Sequence, residues 1–320
     1  MLSRVADSLY WMTRYLERAE HTARLIDVNL TLMLDESPLS ADRRWQRVLM
    51  GLGNPPDFVW NGDADALANL ITFDASNPCS IRSCIMLARE NARQVREQIS
   101  SEQWQQLNRL YHEVTRSYSG NMTDTQPSEF LQAVITGSHL FQGVTDSTMN
   151  HGEGWRFIQL GMYLERASAT LVLLSVYTQE FWSQPDGNME GNEYLEWIGL
   201  LRSCTAFEAY RKVYTNDVNP ERILEFLLLN EENPHAVRHA IDCVQAALEA
   251  IQGEAGKRRA APLRRIAGRL QAALQFGQVP EIIEQGVGTY LKDILRQCEE
   301  IHTNIYQIYI HYSIETALAG

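Results

Sequence analysis

Two Glu-Arg pairs are the residues of this chain whose types and spacing best suit chemistry. Glu17-Arg18 and Glu165-Arg166 each lie within the same pentapeptide, Tyr-Leu-Glu-Arg-Ala, 148 residues apart. Glu165 and Arg166 are also the only charged residues among the 21 positions from 157 to 177. A buried ion costs several kcal/mol unless it is paired and hydrogen-bonded. Because adjacent helical residues point about 100° apart, we expect the motifs to cross-pair, Glu17 with Arg166 and Glu165 with Arg18.

Four further basic side chains are candidates to join these pairs, two in the first helix and two after Asn-Pro turns: Arg14, His21, Arg82 and Arg238. One hypothesis is an anion-binding or acid–base site between the motifs. There Arg18 and Arg166, with the four additional side chains, would bind a carboxylate or phosphate, and Glu17 or Glu165 would act as a base. The alternative is a structural network of ion pairs that joins two parts of the chain. The sequence leaves both open.

Other kinds of site have little support. A di-iron carboxylate bundle needs two Glu-x-x-His motifs on helices, and Glu299-x-x-His302 is the only one that falls within a predicted helix, so we predict no metal site. The chain contains neither G-x-G-x-x-G nor a Walker A motif, so we predict no nucleotide or other cofactor. It also has no Gly-x-Ser-x-Gly elbow and no convincing Cys/His signature, and we expect Cys204 to lie in the core.

Composition narrows the classes of partner. The 320 residues carry a formal net charge of −12, which disfavours binding to nucleic-acid backbone. The exception is the basic segment from Lys257 to Arg269, which could dock an acidic protein or RNA, or form a solvated helix face. The five cysteines form no Cys-x-x-Cys pair, the first 25 residues hold no apolar leader, and charges interrupt the apolar stretch 157–177. We therefore predict a cytoplasmic protein that does not enter a membrane.

Helices are the elements that must position the motifs. Apolar residues recur at alternating steps of three and four over residues 2–33, which predicts one long helix of a bundle. Further helices are predicted over 155–182, 193–214 and 280–312, while alternating strand patterns are essentially absent. The fold class predicted is all-α.

The order of landmarks repeats along the chain. Trp45 recurs as Trp197, and Asn77-Pro78 recurs as Asn233-Pro234. Together with the motifs, this predicts two tandem, diverged helical repeats, 1–150 and 151–320, packed as one compact unit with pseudo-two-fold symmetry. We expect each proline to open a helix at its first position.

The chain resembles the alpha-E family, which is named for its helical content and its Glu-Arg motif. The resemblance covers essentially the whole chain and is carried by the two Leu-Glu-Arg-Ala helices, by Leu201-Arg202-Ser203-Cys204-Thr205-Ala206-Phe207-Glu208-Ala209-Tyr210-Arg211, and by Phe226-Leu227-Leu228-Leu229-Asn230 before the second Asn-Pro. The motif falls on Glu17, Arg18, Glu165 and Arg166. Its flanks depart, since Glu20-His21 becomes Ser168-Ala169 in the second copy, so unequal roles for the copies are expected.

The resemblance implies a role next to peptide ligation. Members of the family typically occur beside a circularly permuted ATP-grasp protein, with transglutaminase-like and proteasome-like peptidases as further genomic neighbours. We therefore expect an accessory or substrate-holding partner of such a ligase, with a peptide as possible substrate. The alternatives are a standalone acyl or aminoacyl transferase at the Glu-Arg interface and a purely structural scaffold. Whether the chain is an enzyme stays open.

Overall fold

The described part of the chain is all-helical, as the sequence predicts. The computed structural model describes residues 1–34, 40–53, 60–116, 127–182, 191–215, 217–251 and 260–310. Within these residues there are fourteen α-helices, a π-helical turn at Tyr306–Ile310, and no strand. The helices are α1 (Ser3–Leu34), α2 (Ala41–Gly51), α3 (Ala64–Thr72), α4 (Ile81–Gln94), α5 (Ser101–Arg116), α6 (Pro127–Thr148), α7 (Glu153–Phe181), α8 (Gly191–Ser203), α9 (Phe207–Tyr214), α10 (Pro220–Leu229), α11 (Val237–Ala250), α12 (Ala261–Phe276), α13 (Val279–Gln285) and α14 (Val287–Ile305).

The two longest helices, α1 and α7, lie side by side and run in the same direction. Glu17 bonds to Arg166 midway along the pair. Further on, Leu25 of α1 and Leu173 of α7 both lie against Gly51 of α2. Because the contacting residues advance together along both helices, the packing is parallel.

The closest approach of α1 to α7 occurs at a glycine. A Cβ atom on Gly161 would overlap the backbone carbonyl of Tyr10 and the hydroxyl of Thr13. Thr13 Oγ1 also donates a hydrogen bond to the carbonyl oxygen of Ile158 at 3.0 Å. The missing side chain lets the two backbones meet, and this brings the Glu-Arg motifs of both helices within reach of one another.

Helices α4 and α6 flank α1, whereas α11 and α14 flank α7. Buried apolar side chains from both ends of the chain form one continuous core, which includes Val5 and Ile305. The apolar stripe predicted for α1 lies inside this core, with Leu9, Met12 and Ile26 fully buried. Among the described residues, no helix has both the length and the apolar character needed to cross a membrane.

The helices after the Asn-Pro turns begin later than predicted. The side chain of Asn77 accepts a hydrogen bond from the N–H two residues on at 3.0 Å, and Asn233 does the same at 2.8 Å. Such side-chain turns compete with helical geometry. As a result α4 starts at Ile81 and α11 at Val237, three residues after each proline.

Two helices predicted as continuous are broken by left-handed backbone. Thr205 has a φ of 52° and separates α8 from α9, so the predicted helix 193–214 is two helices. Gly286 has a φ of 96° and separates α13 from α14 within the predicted helix 280–312. A positive φ cannot continue a right-handed helix.

Candidate functional site

Glu165 of α7 is bound by two arginines of α1. Arg14 Nε donates to Glu165 Oε2 at 2.6 Å, and Arg18 Nε donates to Oε1 at 2.6 Å. Burial opposes the ionisation of Glu165, but the two guanidinium groups outweigh it and lower the pKa of this carboxyl to about 2. Glu165 is therefore ionised at neutral pH, with a cation against each oxygen.

Glu17 of α1 is bound by Arg166 of α7 through two parallel hydrogen bonds. Arg166 Nε donates to Glu17 Oε1 at 2.5 Å, and Arg166 Nη2 donates to Oε2 at 2.9 Å. Gln142 of α6 donates to Oε2 at 3.2 Å. Burial raises the pKa of Glu17 against the opposing effect of Arg166. The predicted cross-pairing of the two motifs is confirmed in both directions.

The two pairs differ because the motif flanks differ. Arg14 lies four residues before Arg18 and supplies the second cation to Glu165. The residue four positions before Arg166 is Met162, which has no charge. Glu165 is thus bound by two guanidinium groups, whereas Glu17 is bound by one guanidinium group and a neutral amide.

An imidazole of α14 lies over Arg14. His302 Nδ1 is 2.8 Å from the Tyr10 hydroxyl and 2.9 Å from Arg14 Nη1. Because a guanidinium group can only donate, Nδ1 is the unprotonated acceptor of a neutral ring. Burial and the nearby Arg14 lower the pKa of His302 to about 4. This contact joins residues 292 positions apart, so no local sequence pattern indicates it.

Two of the remaining sequence candidates, His21 and Arg238, have contacts other than the motif carboxylates. The ring of His21 lies near the backbone of Gly51, and burial lowers its pKa. Arg238 bonds at 2.6 Å to Glu231, in the loop directly before α11. Contrary to the expectation from the sequence, it does not reach the Glu-Arg pairs. Arg82 lies half-buried in the first turn of α4.

Two further buried carboxylates form ion pairs that were not predicted. Glu20 accepts a hydrogen bond from Arg24 Nε at 2.7 Å within α1. Arg44 Nη2 of α2 bonds to Glu196 of α8 at 2.8 Å, and Arg47 bonds to the same carboxylate. Arg44 and Glu196 directly precede the recurring tryptophans, which is the signal that could have revealed their pairing.

A cavity of about 190 Å³ opens beside Glu17, between α1, α6 and α7. Its polar wall is formed by Glu17, Gln142, Asp146, Gln159 and Tyr163. Glu165 does not line this cavity. Of the two motif glutamates, Glu17 is therefore the one placed to contact a small molecule there.

Two other expectations from the sequence concern metal binding and the basic segment. No three His, Cys, Asp or Glu side chains lie together as a metal-binding group within the described ranges. Of the basic segment Lys257 to Arg269, positions 257–259 lie outside the described residues, whereas Arg264, Arg265 and Arg269 lie on α12.

These features define a class: an all-helical protein whose two central helices are joined by crossed, buried Glu-Arg pairs. The chain belongs to the alpha-E family, described as a predicted alpha-helical domain with a conserved ER motif, and the family model matches residues 1–310. The fold and motif expected from the resemblance are thus confirmed.

The chain is also similar to three uncharacterised mycobacterial proteins, one from Mycobacterium bovis and two from strains of Mycobacterium tuberculosis. Each is 21 % identical over 325 residues, which cover 95 % of this chain and 36 % of the relative. The chain therefore spans about a third of the length of the curated relatives it matches. No solved structure matches the chain.

Proposed function

We propose that this chain is the substrate-holding partner of a circularly permuted ATP-grasp peptide ligase, and that the cavity beside Glu17 holds the amine to be ligated. The observation that carries the proposal is the lining of that cavity. Glu17 and Asp146 are acidic, and Gln142, Gln159 and Tyr163 offer oxygen atoms as acceptors. Such a lining favours an ammonium or amine group over an anion.

The positions of the arginines support an amine over a carboxylate as the ligand. Arg14 and Arg18 are bonded to Glu165, and Arg166 is bonded to Glu17. An anionic ligand would have to displace these buried pairs and leave a carboxylate without its cation, at a cost of about 3–5 kcal/mol. In this proposal the guanidinium groups join the helices, and Glu17 contacts the ligand.

The chemistry expected of the cavity is delivery of a nucleophile. The ligase would convert a carboxylate into an acyl phosphate, and an amine attacks that group only in its unprotonated form. Burial raises the pKa of Glu17 towards neutral pH. A carboxylate with a higher pKa is a better proton acceptor. The ligase supplies the nucleotide site, and its need for ATP puts both proteins in the cytoplasm.

The proposal includes the internal duplication, with repeats that exchange contacts about a pseudo-two-fold axis. At the motif offset of 148 residues, Thr13 aligns with Gly161 and Tyr10 with Ile158. Thr13 contacts Ile158, and Gly161 contacts Tyr10. The second contact joins the residues that align with those of the first, so the two contacts are related by the pseudo-two-fold axis. The two Glu-Arg pairs repeat this exchange. Reciprocal contacts of this kind are typical of isologous interfaces.

A reconstituted ligation reaction tests the proposed function. The purified ATP-grasp protein is mixed with this chain, ATP, a peptide carboxylate and a panel of amino acids, and amide product is followed by mass spectrometry. Gln159→Trp enlarges a side chain that lines the cavity, and Gln179→Trp places the same side chain at an exposed position of the same helix. We expect about a tenfold loss of amine-dependent turnover, equivalent to ~1.4 kcal/mol, for Gln159→Trp alone.

Three results would overturn the proposal. Equal turnover without this chain removes the accessory role. Amide formation by this chain without the ligase establishes the standalone transferase in its place. Wild-type turnover of both tryptophan variants, in a reaction that does require the chain, shows that the chain is a scaffold and that the amine binds elsewhere.

A further inference from the structure

A cysteine and a histidine form a close pair on α11, outside the Glu-Arg centre. His239 and Cys243 are four residues apart and share one face of the helix. His239 Nε2 lies 3.6 Å from Cys243 Sγ, within hydrogen-bond distance for sulfur. Cys243 is half-buried, as is Cys79, whereas Cys84, Cys204 and Cys298 are buried.

A backbone carbonyl fixes the orientation of the histidine. His239 Nδ1 is 2.7 Å from the carbonyl oxygen of Glu231. Because a carbonyl can only accept, Nδ1 carries the proton, and Nε2 faces the thiol as an acceptor. The loop is itself held, since Arg238 bonds to the Glu231 side chain at 2.6 Å and Asn230 Oδ1 accepts the N–H of Asn233 at 2.7 Å.

Tyr163 links this pair to the cavity beside Glu17. Burial raises the pKa of its hydroxyl to about 12, and the neighbouring Cys243 thiol adds to the rise. Its ring meets the His239 ring edge-on, with 5.8 Å between the centroids. The same tyrosine lines the cavity. One side chain therefore contacts both the His239 ring and the space proposed to hold the amine.

We propose that Cys243 is a nucleophile that accepts an acyl group, with His239 as its general base, and that its substrate is an activated acyl group of the acyl phosphate class. A nucleophile, a base within hydrogen-bond distance and a third group that orients the base are the parts that covalent catalysis requires. The inference rests on the proposed function for the source of the acyl phosphate and of the amine.

The reaction takes place in two balanced steps. In the first, Cys243 Sγ forms a bond to the acyl carbon, the bond from that carbon to the phosphate oxygen breaks, phosphate leaves with the electron pair, and the thiol proton passes to His239 Nε2. In the second, the amine nitrogen attacks the thioester, the C–S bond breaks, and the amide forms. His239 returns its proton to the thiolate, and the surplus proton of the nitrogen passes to solvent.

Acylation of the chain by acetyl phosphate tests the inference without the ligase or an amine. Purified protein is incubated with this small acyl phosphate, and each cysteine is assayed by peptide mapping for an acetyl group that hydroxylamine removes. We expect Cys243 to be acetylated at least about tenfold faster than Cys79, the half-buried control, and the His239→Gln variant to lose that difference. Cys243→Ser should take up no acetyl group at position 243 that hydroxylamine removes, and circular dichroism checks that both variants fold.

Three outcomes overturn the dyad. They are acetylation of Cys243 no faster than that of Cys79, acetylation of Cys243 that persists at full rate in folded His239→Gln, and a label that hydroxylamine does not remove. Because no ligase is present, failure here leaves the accessory role intact. Conversely, acetylation that follows the expected pattern stands even if the reconstituted ligation fails.

Discussion

The carboxylates of the two motifs are the same residue type in different surroundings. Glu165 lies between Arg14 and Arg18, and its pKa falls to about 2. Glu17 meets Arg166 and an uncharged amide, and burial raises its pKa. One glutamate is thus fixed as an anion, while the other lines a cavity and lies closer to protonation. The repeated motif therefore places one glutamate between two guanidinium groups and the other at the wall of a cavity.

Removing the charge of Glu165 should destabilise the fold more than removing that of Glu17. Glu165→Gln leaves two buried guanidinium groups without a counter-charge, and we expect the free energy of unfolding to fall by about 3–5 kcal/mol. Glu17→Gln leaves only Arg166 uncompensated and should cost less. Chemical denaturation at neutral pH measures both.

The exposed pair Glu90–Arg93 provides the matched control for these variants. Glu90→Gln removes a carboxylate at 2.6 Å from its arginine, and both side chains are exposed. Water screens such a pair, so its loss should leave stability nearly unchanged. Equal losses for Glu90→Gln and Glu165→Gln would contradict the assignment of the buried pairs as structural.

At the scale of helices, α14 docks on α1 through a group that must stay neutral. His302 accepts from Arg14, so a proton on its ring would place two cations against each other. The ordinary pKa of a histidine, 6.5, applies in the unfolded chain, and the folded value is about 4. The contribution of His302 to stability is therefore complete above pH 6.5 and is lost as the pH falls from 6.5 towards 4.

His302→Gln should reduce the pH dependence of stability in this window. Glutamine keeps an oxygen acceptor for Arg14 but cannot take up a proton, so the slope between pH 6.5 and 4 should decrease. His21 and His235, whose pKa values burial also lowers, leave a residual slope. Urea denaturation at several pH values measures the change, with the exposed His112→Gln as the control. An unchanged slope in His302→Gln would show that the ring does not titrate with folding.

Some of these helical contacts follow from the sequence, and others cannot. The crossing of the Glu-Arg pairs was predictable, because two charges within an apolar helix must find counter-charges somewhere. The break at Thr205 was not, since a threonine with positive φ is imposed by packing and not by local preference. His239 and Cys243 have visible helical spacing. The orientation of His239 towards the thiol depends on the Glu231 carbonyl, which only the folded loop brings to the ring.

Across the whole molecule, the N-terminal helix α1 meets α7, from the middle of the chain, most closely at Gly161. Any side chain there must push the carbonyl of Tyr10 away, and the core on both sides of the contact must open with it. We expect Gly161→Ala to lower the free energy of unfolding by about 1–3 kcal/mol, as overpacking does. Thermal and urea unfolding followed by circular dichroism measure the loss.

A glycine-to-alanine substitution on α6 should change the free energy of unfolding in the opposite direction. A Cβ atom on Gly143 meets open space, so Gly143→Ala adds only helix propensity and should stabilise the chain by about 0.5–1 kcal/mol. If both variants gain stability, the close contact between α1 and α7 is wrong.

The crossed pairs also constrain how the sequence can drift. Glu17 and Arg166 are 149 positions apart, yet each is tolerable in the interior only while the other is present. A lineage that replaces one alone inherits a poorly folded chain, whereas one that replaces both together can escape. Across relatives, positions 17 and 166 should therefore change in concert, and so should 165 with 14 and 18, as if each set were a single inherited character.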